Sequence, residues 1–395
     1  MGTTVIENLT SDKMAGVGGV GIRTQLLEIA ATLPDVIAMG RGDPDLDTPQ
    51  HIIDAAKKAL DEGATHYTAV RGRLDLRQAI AKKLKQDNGI EYDPETEIMV
   101  TVGAEEAVFL SLYGILNPGD EVIVPSPRYG AYDDAIKMWS GVPVVVPSDS
   151  ADDFSFRPEA IRRCITSKTK AISLVNPGNP VGMLNPDEVK AIADLAIEFD
   201  LVVISDEIYE NIIFDGTPHQ SVAALPGMKE RTITVNGPSK SYAMTGWRCG
   251  FLAAPAPFCE MLTEPAHTVT ICCPAVTQAA ALAAYTGPQD CVAEMRAIYN
   301  ERKELMAAKL TDMGFTYVEP RAGFYIYTDV TSLGMSPSEF CMRLLKETGV
   351  LIFPGALFED TTDRFVRISL LAPTERVKEA AERMMKFVEK VKSEK

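Results

Sequence analysis

Short, mostly apolar runs alternate along the chain with longer segments in which apolar residues return every three or four positions. The runs Glu97–Val102, Glu121–Val124, Val142–Val146, Lys170–Val175, Leu201–Ser205, Thr232–Val235 and Phe251–Ala254 predict strands. Between them, Ala104–Leu116 and Tyr132–Trp139 predict helices, the first closed by Asn117-Pro118-Gly119. Another helix opens at Asn185-Pro186-Asp187-Glu188, with Asn as cap, Pro in the first turn and Glu three residues after the cap. Val189, Ile192, Ala193 and Ala196 form its buried stripe. Strands with no polar face must be covered on both sides. The pattern therefore predicts an α/β fold, a three-layer, mainly parallel sheet between helices.

Beyond residue 290 the rhythm changes. Long helices over Val292–Met313, Ser336–Thr348 and Thr374–Lys392 surround strands near 315–328 and 363–370, as in a smaller α+β domain. We expect a large domain over 48–289 and a small one built from 1–47 together with 290–395. The uncharged stretch 265–289 is long enough to test as a membrane span. Its Pro265, Pro274, Pro288, Gln278 and threonines predict a buried Ala-rich helix instead.

Composition narrows the partners. The 395 residues carry a formal net charge of −16, with 46% hydrophobic and 24% charged residues. This excludes a disordered or fibrous chain, and it repels nucleic acid and anionic membrane alike. Seven cysteines without a CxxC pair predict reduced thiols in the cytoplasm, and the N-terminus has no secretory signal pattern. Four histidines, none in HExxH spacing, argue against a zinc site.

Ligands in an open parallel sheet bind beyond the carboxyl ends of its strands. The residues leaving the predicted strands are Gly103-Ala104-Glu105, Ser126–Tyr129, Asn176–Gly182, Asp206–Tyr209 and Asn236–Lys240. Helix-start amides suit a phosphate, an aromatic suits stacking, and a lysine amine forms Schiff bases. Gly16–Gly21 spells GxGxxG, yet no strand precedes it, so a glycine loop is a better reading than a nicotinamide site.

The segment Ser239-Lys240-Ser241-Tyr242-Ala243-Met244-Thr245-Gly246-Trp247-Arg248 resembles the cofactor-lysine motif of class I/II pyridoxal-phosphate aminotransferases, of fold type I. Gly42-Asp43-Pro44-Asp45, Tyr67 with Arg71-Gly72, Asn176–Gly182, Asp206–Tyr209 and Phe365–Ser369 are similar to further family motifs, in family order. The resemblance implies pyridoxal 5'-phosphate as cofactor, with an L-amino acid and a 2-oxo acid as substrates. Lys240 then carries the cofactor as an internal aldimine and shuttles the proton, its pKa lowered by charged surroundings. Asp206 pairs with the pyridine nitrogen, Asn179 and Tyr209 bond the phenolic oxygen, and Tyr129 stacks on the ring. The phosphate sits on the Gly103, Ala104 and Glu105 helix start with Arg248 and Ser239. Arg367 clamps the substrate carboxylate, helped by Gly42 and Asn179. Tyr67 reaches the phosphate of a neighbouring subunit, which implies a homodimer.

Some positions depart from the pattern. Gly237 stands where relatives often carry a hydroxyl, and Val181 replaces a Thr. Arg41 and Arg128 stand beside motif positions where small or uncharged residues are usual; either could meet an acidic substrate group, or equally be neutralised by the strongly acidic surface. A β-elimination lyase or decarboxylase on the same cofactor is the alternative activity. A non-enzymatic cofactor-binding module finds no support in any basic stripe.

Overall fold

The computed structural model describes residues 21–148, 154–358 and 361–395. The glycine loop Gly16–Gly21, apart from Gly21 itself, lies outside them. The helix Ile22–Thr32 leads into β1 (Ile37–Ala38), and the helices Gln50–Asp61 and Leu74–Asn88 follow. Then come β2 (Ile98–Thr101), β3 (Glu121–Pro125), β4 (Val142–Val146), β5 (Thr169–Val175), β6 (Val202–Asp206), β7 (Thr232–Asn236) and β8 (Gly250–Ala253). These last seven form one sheet in the order β2-β8-β7-β6-β5-β3-β4. All neighbours pair in parallel except at β8, which is antiparallel to β2 and β7.

Why the sheet forms is plain from its side chains. Val122, Ile123, Val124, Ala171, Ile172, Val203 and Ile204 are all buried, split between two apolar layers on opposite faces. The helix Pro186–Glu198 covers one face, with Val189, Ile192, Ala193 and Ala196 inward. Its start is the expected capping box: Asn185 accepts from the amides of Asp187 and Glu188 at 3.0 Å, and Glu188 accepts from Asn185 N at 2.8 Å. Helix Ala104–Ile115 lies on the other face.

The 265–289 stretch is not a single helix. It holds the end of one helix, Ala256–Thr270, and all of the next, Ala275–Thr286. Between them Ile271 turns left-handed at φ 67°, and Pro274 caps the second helix, while Pro265 is absorbed inside the first. No helix among the described residues is long and apolar enough to cross a membrane.

The C-terminal region carries β9 (Thr316–Val318), β10 (Tyr325–Asp329), β11 (Val350–Leu351), β12 (Phe353–Pro354) and β13 (Phe365–Ser369). Four of these make an antiparallel sheet in the order β12-β13-β10-β9. Strand β11 instead pairs in parallel with β1, which ties the N-terminal segment to this half of the molecule. Arg302, buried on the helix Asp290–Asp312, reinforces the tie with a two-pronged bond to Asp45 at 2.6 and 3.0 Å. The loop Gly40–Asp45 is thereby held across the carboxyl end of the large sheet.

Candidate active site

Lys240 lies in the turn that follows β7, and its Nζ donates to the carbonyl of Gly42 at 2.5 Å. Burial pushes its pKa down to about 8, while the carboxylates of Asp43 and Asp206 pull the other way. The expected cause was charged surroundings. Here burial dominates, because an ammonium loses its hydration and its carboxylate neighbours restore only part of it.

Asp206 ends β6 next door. Burial raises its carboxyl to about 6, against the hydroxyl of Tyr132 and the amide of Ile208 (2.9 Å), which favour the ionised form. Tyr132 is a site residue that the sequence did not disclose. The signal was its place three residues after Tyr129, at the start of the helix Ala131–Met138. Tyr129 itself donates to Glu105 Oε1 at 2.9 Å, so Glu105 acts through its side chain as well as its amide.

The helix start at Gly103 forms a cradle. Gly103 has φ +83°, and a Cβ there would come within 2.6 Å of the Arg248 guanidinium. A Cβ at Gly250 would lie 2.5 Å from Ala104 N. Arg248, left-handed at φ 54°, donates to Thr245 O at 3.1 Å and stands 3.9 Å from Glu105. Helix-start amides with no intrahelical acceptor, under a guanidinium and with no side chain in the way, suit a phosphate. Ser239 is buried beside Lys240.

Arg367 sits in the interior strand β13, and its guanidinium lies between the rings of Tyr325 and Phe358, each centroid 4.1 Å away. It donates to Asn179 Oδ1 at 2.7 Å and to Gly40 O at 2.5 Å, while its buried Nε has no acceptor. An orphaned buried donor on a stacked cation is what a carboxylate would satisfy. Asn179 also reaches the hydroxyl of Tyr209 at 3.5 Å, and burial holds that phenol well above its ordinary pKa. A cavity of about 260 Å³ opens behind Asn179, Tyr129 and Tyr132, bounded by the Val318–Ala322 turn, and Lys240 lies outside its walls.

Thus Gly42, Gly103, Ala104, Glu105, Tyr129, Asn179, Asp206, Tyr209, Ser239, Lys240, Arg248 and Arg367 cluster at one end of the sheet. Tyr67 stands apart, 79% exposed. Arg128 is no free cation: it is buried and locked to Asp133 at 2.7 Å, with a further bond to Pro125 O at 3.0 Å.

A second polar group went unread in the sequence. Glu207, Glu210 and His219 bring ligand-type atoms within 4.8 Å of one another. Their carboxylates are already filled: Lys83, Asn88 (2.7 Å) and Asn236 (2.7 Å) bond Glu210, and Ser221 and Ser205 bond Glu207. Burial pulls His219 down, but Glu207 and Glu210 outweigh it and hold the imidazole above its usual value. The cluster is an internal charge network rather than an open metal site. It pins the turns after β6 and β7, from which Asp206, Tyr209 and Lys240 project.

The family model for aminotransferase class I and II matches residues 34–384. An aspartate aminotransferase of Pyrococcus abyssi is 42% identical over 97% of this chain and 99% of its own. Aromatic-amino-acid aminotransferase 2 of Thermococcus litoralis is 39% identical over the same shares. The crystal structure of an aromatic aminotransferase from Pyrococcus horikoshii superposes with a TM-score of 0.89 at 42% identity, covering 93% of this chain and 99% of that one. The chain belongs to the class I and II aminotransferases of fold type I, and is a pyridoxal 5'-phosphate-dependent transaminase that acts on amino acids and 2-oxo acids.

Proposed function

We propose that Lys240 is the residue that holds the cofactor and moves the substrate proton, in a homodimer whose two sites each take Tyr67 from the other copy. The observation that carries this reading is one buried amine at the carboxyl end of the sheet, its Nζ bonded to Gly42 O at 2.5 Å and within the influence of the Asp206 carboxylate and the Arg367 guanidinium, with burial pushing its pKa down to about 8. An ordinary lysine is fully charged near neutrality and cannot act as a base. At about 8, roughly a tenth is neutral at pH 7, enough to form a covalent bond to a carbonyl.

Pyridoxal phosphate, when bound, supplies a conjugated ring that takes up the electron pair left by the breaking Cα–H bond. The protein does the rest. Asp206 would pair with the ring nitrogen and keep its proton in place. Asn179 and Tyr209 would donate to the ring's oxygen, and Tyr129, steadied by Glu105, would cover its face. The amides of Ala104 and Glu105, with Gly103, Ser239 and Arg248, would hold the phosphate. Arg367, assisted by Asn179 and Gly42, would hold the α-carboxylate and so orient the Cα–H toward Lys240 Nζ, which would accept and later return the proton.

Exposure of Tyr67 on the single chain supports its use by a partner copy. The pairing of β1 with β11 supports a small domain made of residues 1–47 with 290–395, set against 48–289. All seven cysteines are unpaired, which supports a reducing, cytoplasmic setting.

The test is Lys240→Ala, assayed for amino-acid-dependent loss of the bound cofactor's visible absorbance and for 2-oxo acid release. Complete loss of both is expected, and retained turnover would refute the assignment. For the shared site, Lys240→Ala and Tyr67→Ala proteins are mixed under mild denaturation. Partial recovery of activity is expected, since one hybrid site keeps both residues, and no recovery at all would sink the homodimer proposal.

A further inference from the structure

Strands β6 and β7 run side by side, and their last paired positions are Asp206 and Val235. One further backbone bond, Glu207 N to Val235 O at 2.9 Å, closes the ladder. Beyond it each strand leaves through its own turn. The first turn carries Asp206 and Tyr209, and is held together by Glu210 N to Glu207 O (3.0 Å) and Ile212 N to Tyr209 O (2.8 Å). The second carries Lys240, and is held by Tyr242 N to Pro238 O (3.1 Å) and Met244 N to Ser239 O (3.0 Å). Two compact pieces thus stand next to each other past the end of the ladder that joins their strands.

Two side-chain bonds bridge these turns, one on each side of Lys240. Asn236 Nδ2 donates to Glu210 Oε1 at 2.7 Å, while Asn236 Oδ1 accepts from Gly237 N at 2.7 Å. Asn211 Nδ2 donates to Ser241 Oγ at 3.1 Å, and Ser241 is buried. The first bridge belongs to the charge network of Lys83 and Asn88, and serves to neutralise Glu210 as well. The second is different. Asn211 and Ser241 are neutral, and each stands within two positions of a site residue, Tyr209 or Lys240. Among the described residues, this bond is the only side-chain hydrogen bond that either of them makes.

We infer that Asn211 is a positioning residue: through Ser241 it fixes the root of Lys240 against the turn that bears Asp206 and Tyr209. The inference rests on the reading of Lys240 as the residue that holds the cofactor and moves the proton. A cofactor bonded at Lys240 and paired at Asp206 and Tyr209 would span both turns, so the gap between them governs how the amine meets the reacting carbon. The flexible four-carbon stem of lysine does not supply that precision, because rotation about its bonds amplifies any shift of its root. A misplacement of about 1 Å costs up to about a hundredfold in rate. Losing one of the two bridges permits a fraction of that movement.

The experiment uses Asn211→Ala, Ser241→Ala and the double variant, each loaded with pyridoxal phosphate. Rates come from single half-reactions with whichever of L-glutamate, L-alanine and L-phenylalanine the wild type converts fastest. Each single variant should lose on the order of tenfold in the limiting rate, with half-saturation by the amino acid kept within about twofold. The double variant should lose no more than either single one, because both changes remove the same bond. Before any amino acid is added, the pH midpoint of the bound cofactor's visible absorbance should move by about half a pH unit or more in all three, as the hydrogen bonds to the ring's oxygen fall out of line. A tie that serves only the fold would lower the urea midpoint of the variants and leave rate and absorbance as in the wild type, and that result overturns the inference. Rate losses that multiply in the double variant overturn it too, as does a loss confined to half-saturation or an unmoved absorbance midpoint. A Lys240→Ala protein that keeps its turnover would instead bring down the reading of Lys240, and this inference with it.

Discussion

Replacing Lys240 by Met in the cofactor-free protein should stabilise it near neutral pH, and by an amount that depends on pH. The native amine titrates at about 8 and an unfolded lysine at 10.5, so the folded state binds fewer protons in that window. The sign follows: stability rises with pH as the folded-state penalty is relieved between about 8 and 10.5. Near pH 7 the gap is worth about 3 kcal/mol against the fold. Near pH 10 the amine is already neutral in the fold and little ionised excess remains, so the penalty shrinks to about 1 kcal/mol or less. Methionine removes the charge but keeps the length of the side chain, and any packing loss is the same at both pH values. Urea unfolding of both proteins, cofactor-free, at about pH 7 and about pH 10, therefore gives a difference of differences near 2 kcal/mol. The Lys240→Met advantage should be larger at the lower pH. An advantage independent of pH, or larger at pH 10, would refute the burial argument.

Asp206→Asn should abolish transamination while stabilising the cofactor-free protein near neutral pH by up to about 3 kcal/mol, since a carboxyl raised from 3.8 to about 6 opposes folding above that value. The gain vanishes as pH falls below about 4, which unfolding curves at the two pH values will show. Arg367→Lys should raise the KM for amino acids on the order of a hundredfold with a smaller effect on kcat, because an ammonium cannot stack between Tyr325 and Phe358 or offer the second bond. Gly103→Ala should weaken cofactor binding at least tenfold by equilibrium dialysis, as its φ of +83° and the approach of Arg248 leave no place for a methyl group.

Much of this arrangement was legible locally. The capping box at Asn185 is read from four residues, and Asp206 announces itself as a carboxylate ending an apolar strand. Arg367 alternates into the run Phe365–Leu371, which predicts an inward cation. What escaped depends on distance along the chain. Tyr132 meets Asp206 across 74 positions, and Lys83 meets Glu210 across 127. No periodicity carries such pairings. The rings around Arg367 come from β10 and from the turn near Phe358, so the stacked clamp exists only after the small sheet has formed. The 265–289 stretch misled for a different reason. Alanine-rich composition favours helix throughout, whereas the break at Ile271–Pro274 is made by backbone conformation at two positions.

The run Asp206-Glu207-Ile208-Tyr209-Glu210 places three carboxyl groups in the same dry interior, and their different fates point to the function. Glu210 is held below its ordinary pKa despite burial, because Lys83 and His219 face it. Glu207 has His219 at 3.1 Å and two serine hydroxyls. Asp206 alone is left with a phenol and one backbone amide, and its pKa rises. Lys240, the cation that weighs on it, is itself pushed toward neutrality. Left to itself, the chain thus neutralises two of the three and leaves the third to be matched from outside. A ligand that brought a basic ring nitrogen to Asp206 and a carbonyl to the Lys240 amine, whose burial already favours its neutral form, would relieve both burial penalties at once. On the proposed assignment Arg367 would repeat the logic with opposite sign, since its buried Nε has no acceptor and an α-carboxylate would supply one. What supports the proposed placement is the coincidence of a carboxyl raised by burial, an amine lowered by burial and a guanidinium with a free donor at one end of the sheet, not any one of them alone.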